Sequence, residues 1–540
     1  MSRRAAFVCF SICLLAEAGL FATAGAGGSC SSLAGMRLAG VTITLAREVP
    51  AGSFRPSDMH FAHLPPFCRV AGIIAPTADS RIRFEVWLPS SGWNGDFDGA
   101  GNGGFAGSIE YGQLADAIRS GFAAAATDTG HRGGATDASW ALGHPQKIID
   151  FGYRAMHLMT VDAKAIARAY YGASPHESYF AGCSNGGRQA LMEAQRFPDD
   201  YNGIIAGAPA NYWTHLLAAG AWMSRAMLKN PADYIPPNKL PAISAAVLAA
   251  CDARDGVRDG ILNDPRRCHF NPSSLLCRRH DSSECLTAPQ VATLKKIYAG
   301  VTDSRGERMF PGYMPGGELG SNGWARWITG PAPEKSLSYT FSSQFFSNLV
   351  YDNRAWDFRA FNFGSGAALA DRKFAGILNA TNPDLSAFKA HGGKLVLYHG
   401  WDDTAIPAPN TVNYYESVIR RMGAPTAHSF VRLYMIPGMQ HCGGGPGITI
   451  FGAWASGARQ SAKDSMFSAL EQWVTQGVAP AALIASKYPA SREATHALNP
   501  TRPLCPYPEI ASYKGRGSTD AASNFACTVE RGFRPARHEP

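Results

Sequence analysis

The sequence predicts an α/β fold, a mostly parallel sheet covered on both faces and interrupted by one large insertion. Three observations carry this expectation. Apolar runs at 82–88, 121–126, 178–181, 203–206, 394–398 and 431–436 read as buried strands, and helical patterns at 153–170, 187–196 and 466–477 lie between some of them. A single G-x-S-x-G pentapeptide sits between a strand pattern and a helix pattern. From 211 to 389 the rhythm stops, and the chain becomes rich in aromatics, Pro, Gly and Asn.

A chain of 540 residues fits about two compact units. With 46% apolar and 17% charged residues, it can bury a large core. The net charge is +8, but Lys and Arg are scattered, with no basic stripe interleaved with aromatics, so nucleic acid is not an expected partner.

The first 26 residues read as an export signal. Arg3 and Arg4 precede an apolar run from Ala5 to Leu20, and small residues follow at 22–26. The run is short for a membrane span and Glu17 interrupts it. No later stretch is long and apolar enough to cross a bilayer, so no stable membrane association is expected. Of twelve cysteines, Cys9 and Cys13 leave with the signal and ten remain, an even number that suits disulfides in a secreted or periplasmic protein. The expected organisation is a signal at 1–26, a first catalytic part at 27–210, a lid domain at 211–389 and a second catalytic part at 390–540.

The pentapeptide is Gly182-Cys183-Ser184-Asn185-Gly186. Its glycines allow a turn sharp enough to expose the serine oxygen, and the helix that follows aims its N-terminus at developing negative charge. Such a serine needs a general base, and the base an orienting acid. In an α/β-hydrolase they follow in the order Ser, acid, His. Strand 394–398 runs into His399-Gly-Trp-Asp402-Asp403, and strand 431–436 into Pro437-Gly-Met-Gln-His441-Cys442. His441 therefore reads as the base and His399 as a support for its own turn. Asp402 and Asp403 compete for the acid on the residues alone. Cys183 precedes the serine and Cys442 follows the histidine, so a nucleophile and base within hydrogen-bond reach would place these cysteines near bridging distance.

The segments Gly-Cys-Ser184-Asn-Gly-Gly-Arg-Gln, His-Gly-Trp-Asp-Asp403 and Pro-Gly-Met-Gln-His441-Cys442 resemble those of the tannase and feruloyl esterase family. The resemblance runs from Cys30 to Cys527. It implies that the acid is Asp403, the second aspartate of the family's His-Gly-Trp-Ala-Asp pattern. This chain carries Asp402 where the family has Ala and Thr404 where Pro is common. The backbone N–H of Asn185 is the expected first donor to the oxyanion. The loop Gly101-Asn-Gly-Gly-Phe-Ala-Gly107 resembles the family's second donor loop, which points to Gly104, with Gly103 next. Ile406 resembles a position beside the acyl ring. Sequence proximity and the resemblance together imply the pairs Cys30–Cys68, Cys251–Cys268, Cys277–Cys285 and Cys505–Cys527, besides Cys183–Cys442.

Within the insertion, Cys251-Asp252-Ala-Arg-Asp255-Gly-Val257-Arg-Asp259-Gly-Ile261 packs three carboxylates into a turn-rich loop. Hard oxygen donors and sharp bends suit Ca²⁺ without matching the EF-hand spacing. On the residues alone, a solvated acidic loop with Arg254 and Arg258 as ion-pair partners fits equally. The resemblance implies a structural Ca²⁺ held by the carboxylates of Asp252, Asp255 and Asp259 and the carbonyls of Val257 and Ile261.

The expected activity is that of a secreted serine esterase acting through an acyl-enzyme on a small-molecule aromatic ester of feruloyl, galloyl or terephthaloyl type, of plant cell-wall or tannin origin. Aromatics at 345–346 and 356–363 read mainly as lid core, with the lid shaping a slot for a flat ring. A serine peptidase or amidase on the same scaffold is the alternative within enzymes, and a binding protein on a hydrolase fold the alternative outside them.

Overall fold

The computed structural model describes residues 28–302, 307–487 and 500–529. The expected signal at 1–26 lies outside them. Nine strands form the main sheet: β1 (Val41–Val49), β2 (Phe67–Ile74), β3 (Ile82–Pro89), β4 (Phe97–Ala100), β5 (Ala123–Thr127), β6 (Ser178–Cys183), β7 (Gly203–Gly207), β8 (Lys394–Gly400) and β9 (Val431–Ile436). Their spatial order is β1-β2-β3-β5-β4-β6-β7-β8-β9. The pairings from β5 through β9 are parallel, whereas β1, β2 and β3 pair antiparallel, as does β3 with β5. All six apolar runs are strands of this sheet.

Three strands escaped the sequence reading. The strand β4 is Phe-Asp-Gly-Ala, a composition with poor strand propensity. It is held by ladders on both sides, from β5 and β6. Gly99 is required there, because a Cβ would come within 2.2 Å of the Tyr201 hydroxyl.

The central strands are buried on both faces, as parallel strands between two helical layers must be. Phe180, Ile204, Leu397 and Leu433 pack with helices α2 (Ala155–Tyr171) and α3 (Asn185–Arg196) and with the helix Pro409–Met422. The alternate residues Tyr179, Ile205, Val396 and Tyr434 pack with α1 (Tyr111–Arg119) and the helix Met466–Gln476.

Between β7 and β8 the chain leaves the sheet. It forms helices α4 (Trp213–Leu228), α5 (Leu240–Cys251), α6 (Ala288–Ala299), α7 (Leu337–Phe345) and α8 (Phe363–Leu378). Two apolar clusters support it. One holds Phe345, Phe346, Phe361 and Phe363, so the aromatic runs at 345–346 and 356–363 build the insertion's own core. The other centres on Leu240, Ile243, Leu294 and Trp324.

Five disulfides join Cys30 to Cys68, Cys183 to Cys442, Cys251 to Cys268, Cys277 to Cys285 and Cys505 to Cys527. Among the described residues no helix is long and apolar enough to cross a membrane.

Candidate active site

Ser184 ends β6 and opens α3 with φ 64° and ψ −122°, a conformation costly for any residue with a Cβ. Its surroundings over-determine the turn. The Ser184 N–H donates to Gly207 O at 3.0 Å, and its carbonyl accepts from Arg188 and Ala210. A Cβ on Gly182 would lie 2.4 Å from Gly186 O, and one on Gly187 would lie 2.3 Å from Gly207 O. Gly182, which opens the pentapeptide, and Gly187, just after it, are thus where backbone crosses backbone.

Two residues behind the serine were quoted in the motif but given no role. Arg188 is fully buried. Its guanidinium donates to Asn185 Oδ1 (2.8 Å), Gly152 O (2.8 Å) and Phe151 O (3.0 Å) and lies over the Phe151 and Trp213 rings. Burial lowers it to about 9. Gln189 accepts from the Asn102 N–H at 2.8 Å and donates to Asn102 Oδ1 at 3.2 Å, tying the glycine-rich loop to α3. Their spacing of four and five residues after the serine is the signal that could have found them.

The glycine-rich loop presses on the elbow, since a Cβ on Gly101 would lie 2.9 Å from Gly186 Cα. Gly104 has φ 56°, and a Cβ there would lie 2.2 Å from Ala135 O. Gly103 and Gly104 both line the cavity that holds Ser184, so both stand as candidate donors.

His441 and Asp403 meet. The His441 Nδ1–H donates to Asp403 Oδ2 at 2.8 Å, while Asp403 Oδ1 accepts from the N–H groups of Ala405 (2.8 Å) and Ile406 (2.9 Å). His399 supplies a further donor: its Nε2 lies 3.1 Å from both Asp403 Oδ2 and Ile406 O, and its Nδ1 faces the Thr411 hydroxyl at 2.7 Å. Both partners of Nε2 are acceptors, so that nitrogen carries the proton. Burial pushes the Asp403 carboxyl up. The positive field of His441 and the hydrogen bonds from the two imidazoles outweigh it and hold the carboxyl well below its ordinary range. Asp402 does not join this pair. It is buried, its Oδ1 has no hydrogen-bond partner among the described residues, and burial together with Glu318 pushes it well up.

Ser184 and His441 line one cavity of about 430 Å³. Its walls include Trp213, Leu217, Phe341 and Ile406, with Gly103 and Gly104 at one side. The Trp327 ring stands edge-on to His441, centroids 5.1 Å apart, and parallel to Phe341 at 6.0 Å. Arg326 is the one Lys, Arg, Asp or Glu among the described lining residues. Ile406 lines this cavity, as do Trp213, Trp327 and Phe341, which the sequence reading did not single out.

In the insertion, Asp252 Oδ1 accepts from the N–H groups of Asp259 (3.3 Å) and Gly260 (3.1 Å), Asp255 Oδ1 from Val257 (3.0 Å), and Asp259 Oδ1 from Ile261 (3.1 Å). Arg502 pairs with Asp259 Oδ2 at 3.0 Å. Burial pushes Asp255 up to about 6, with the charges of Asp259 and Asp252 acting in the same direction. The ligand oxygens of Asp252, Asp255 and Asp259 do not all converge within 4.8 Å of one another among the described residues.

A mostly parallel sheet with a serine at a strained strand–helix turn, lining one cavity with an imidazole–carboxylate pair, defines an α/β-hydrolase. The family model described as tannase and feruloyl esterase matches residues 68–528, and the chain belongs to that family, as a carboxylic ester hydrolase. It is 43% identical to an uncharacterized esterase of Xanthomonas campestris pv. campestris, over 95% of this chain and 93% of that protein. It is 33% identical to mono(2-hydroxyethyl) terephthalate hydrolase of Piscinibacter sakaiensis, over 88% and 87%. The crystal structure of feruloyl esterase B from Aspergillus oryzae matches with a TM-score of 0.85 at 29% identity, covering 92% of this chain and 99% of that one.

Proposed function

We propose that this protein is a secreted serine esterase that hydrolyses aromatic carboxylic esters through an acyl-enzyme. The observation that carries the reading is the 2.8 Å His441–Asp403 hydrogen bond in a loop whose imidazole shares an aromatic-walled cavity with Ser184. Ser184 attacks the ester carbonyl as His441 takes its proton, and Asp403 holds the imidazole tautomer and offsets its charge. The Asn185 and Gly104 N–H groups hold the oxyanion. His441 returns the proton to the leaving alcohol, and water, activated by the same imidazole, then releases the acid.

The insertion acts as a lid. Trp213, Phe341 and Ile406 form the slot for the acyl ring, consistent with the names of the feruloyl esterase and terephthalate hydrolase relatives. Five disulfides support export to an oxidising compartment. Asp252, Asp255 and Asp259, with the Val257 and Ile261 carbonyls, would hold Ca²⁺, which would supply charge compensation to the insertion and take no part in the chemistry.

A fluorophosphonate probe and a panel of chromogenic esters test the reading. Labelling at Ser184 with turnover of methyl ferulate, methyl gallate or a terephthalate monoester is expected. A folded protein that neither labels nor turns over any of them refutes it, and faster turnover of matched amides transfers it to the peptidases.

A further inference from the structure

Glu193, in the last turn of α3, is 0% exposed. Neither of its carboxylate oxygens has a hydrogen-bond partner among the described residues. Its neighbours along the helix, Leu191, Met192 and Ala194, belong to the apolar core. A carboxyl buried without a partner is costly, and a native fold that keeps one calls for something to answer it. Burial and the nearby Asp200 push this carboxyl well above its ordinary range.

Two further ligand groups face it. His157 of α2, Glu193, and Asp200 in the turn that leads into β7 each bring one ligand atom to within 4.8 Å of the others. The imidazole is already aimed. It lies flat on the Phe197 ring, centroids 3.9 Å apart, and its Nδ1 meets Asp200 Oδ2 at 2.7 Å. A tetrahedral zinc ion with bonds of about 2.0–2.1 Å sets its ligands about 3.3 Å apart, so this pair opens by a fraction of an ångström to admit one. The side chains of His157 and Asp200 stay 30% and 12% exposed, which gives an ion a way in from solvent. Lys164 also borders the cluster, but its ammonium donates to the Asp200 carbonyl and not to Glu193. The cluster stands apart from the ester chemistry: Glu193 follows Ser184 by nine residues of helix, about 13 Å of rise.

We propose that His157, Glu193 and Asp200 bind a divalent transition-metal ion of the zinc type, which fastens α2 to the far end of the helix that Ser184 opens. An imidazole with two carboxylates suits zinc better than calcium, which takes about six or more oxygens. Water fills the fourth position on the solvent side. The ion displaces the proton of Glu193 and gives the buried carboxylate its counter-charge. This site is independent of the esterase reading.

The test uses zinc chloride on the intact protein, first stripped of metal and then held in calcium so that the acidic loop of the insertion does not report. Equilibrium dialysis with elemental analysis should find one more zinc per chain in the wild type than in Glu193→Gln, which keeps the shape of the protonated acid. Zinc should raise the melting temperature of the wild type, and the affinity read from that rise should fall about tenfold or more in Glu193→Gln and in His157→Gln. A wild type that retains no zinc overturns the proposal. So does equal zinc binding in wild type and Glu193→Gln, which would mark adventitious binding at surface histidines. If Glu193→Gln does not fold, the partly exposed His157→Gln decides on the same terms.

Discussion

Cys183 and Cys442 are bonded across 259 residues of sequence, their Cα atoms 5.9 Å apart. One precedes Ser184 and the other follows His441, so a single covalent link ties the serine turn to the histidine loop. Loop-entropy models give a bridge of this span roughly 5 kcal/mol at most. In Cys183→Ala/Cys442→Ala, kcat should fall by about tenfold or more well below the melting temperature, because sub-ångström misplacement of a base is costly. Full activity in the folded double variant would show that the bridge serves stability alone.

The backbone at Ser184 is strained, with φ 64°, a cost to stability that the proposed nucleophile role explains. Ser184→Ala should lower kcat by about 10⁴-fold or more while leaving the fold intact. Ser184→Gly should be equally inactive yet melt higher than Ser184→Ala, since glycine relieves about 1 kcal/mol or more of strain at positive φ. Equal melting temperatures for the two variants would contradict the strain.

Asp402 should be a liability at neutral pH. Its folded carboxyl binds a proton more tightly than the unfolded one, so its contribution is favourable below the unfolded value of about 4 and is lost as pH rises. Asp402→Asn removes that dependence and should stabilise the protein on the order of 1 kcal/mol at pH 8, with little gain at pH 4. A gain that does not grow with pH would be evidence against the buried acid.

Chelation should lower the melting temperature without an immediate loss of turnover. A site filled at a hundred times its Kd contributes about 2.7 kcal/mol by linkage. Asp255→Asn should remove the calcium-dependent shift. Protein purified without chelator that contains no calcium, and melts identically with and without it, would rule the site out.

Phe341→Leu should lower kcat/KM for methyl ferulate by about two- to twelvefold, the range of one aromatic pairing, with little change for an aliphatic ester. The wild type should prefer the ferulate to p-nitrophenyl palmitate. Preference for the palmitate would leave a generic serine esterase.

The elements legible in the sequence are those set by local rules. Gly182 and Gly187 flank Ser184 where only glycine tolerates the crossings of that turn. His441 and the Asp402–Asp403 pair each follow an apolar strand closely enough to be placed by spacing. The choice between Asp402 and Asp403 was beyond spacing, because adjacent carboxylates differ only in which way the folded loop turns them. The strand β4 was hidden because its Asp and Gly gain their conformation from neighbours on both sides. Trp213, Trp327 and Phe341 were hidden for another reason: the insertion has many aromatics, and whether a ring faces its core or the cavity depends on packing between segments far apart in sequence.

The buried guanidinium of Arg188 has a consequence for biosynthesis. It reaches the carbonyls of Phe151 and Gly152, just ahead of α2, and at 3.4 Å that of Leu378, at the end of α8. A ribosome releases the Ser184 turn roughly two hundred residues before Leu378 and Asp403 follow. Until then this cation lacks part of its cage, and the emerging serine has neither acid nor base. On the proposed triad, competence therefore arrives late in synthesis, and the half-made chain cannot act on esters of the cell that builds it.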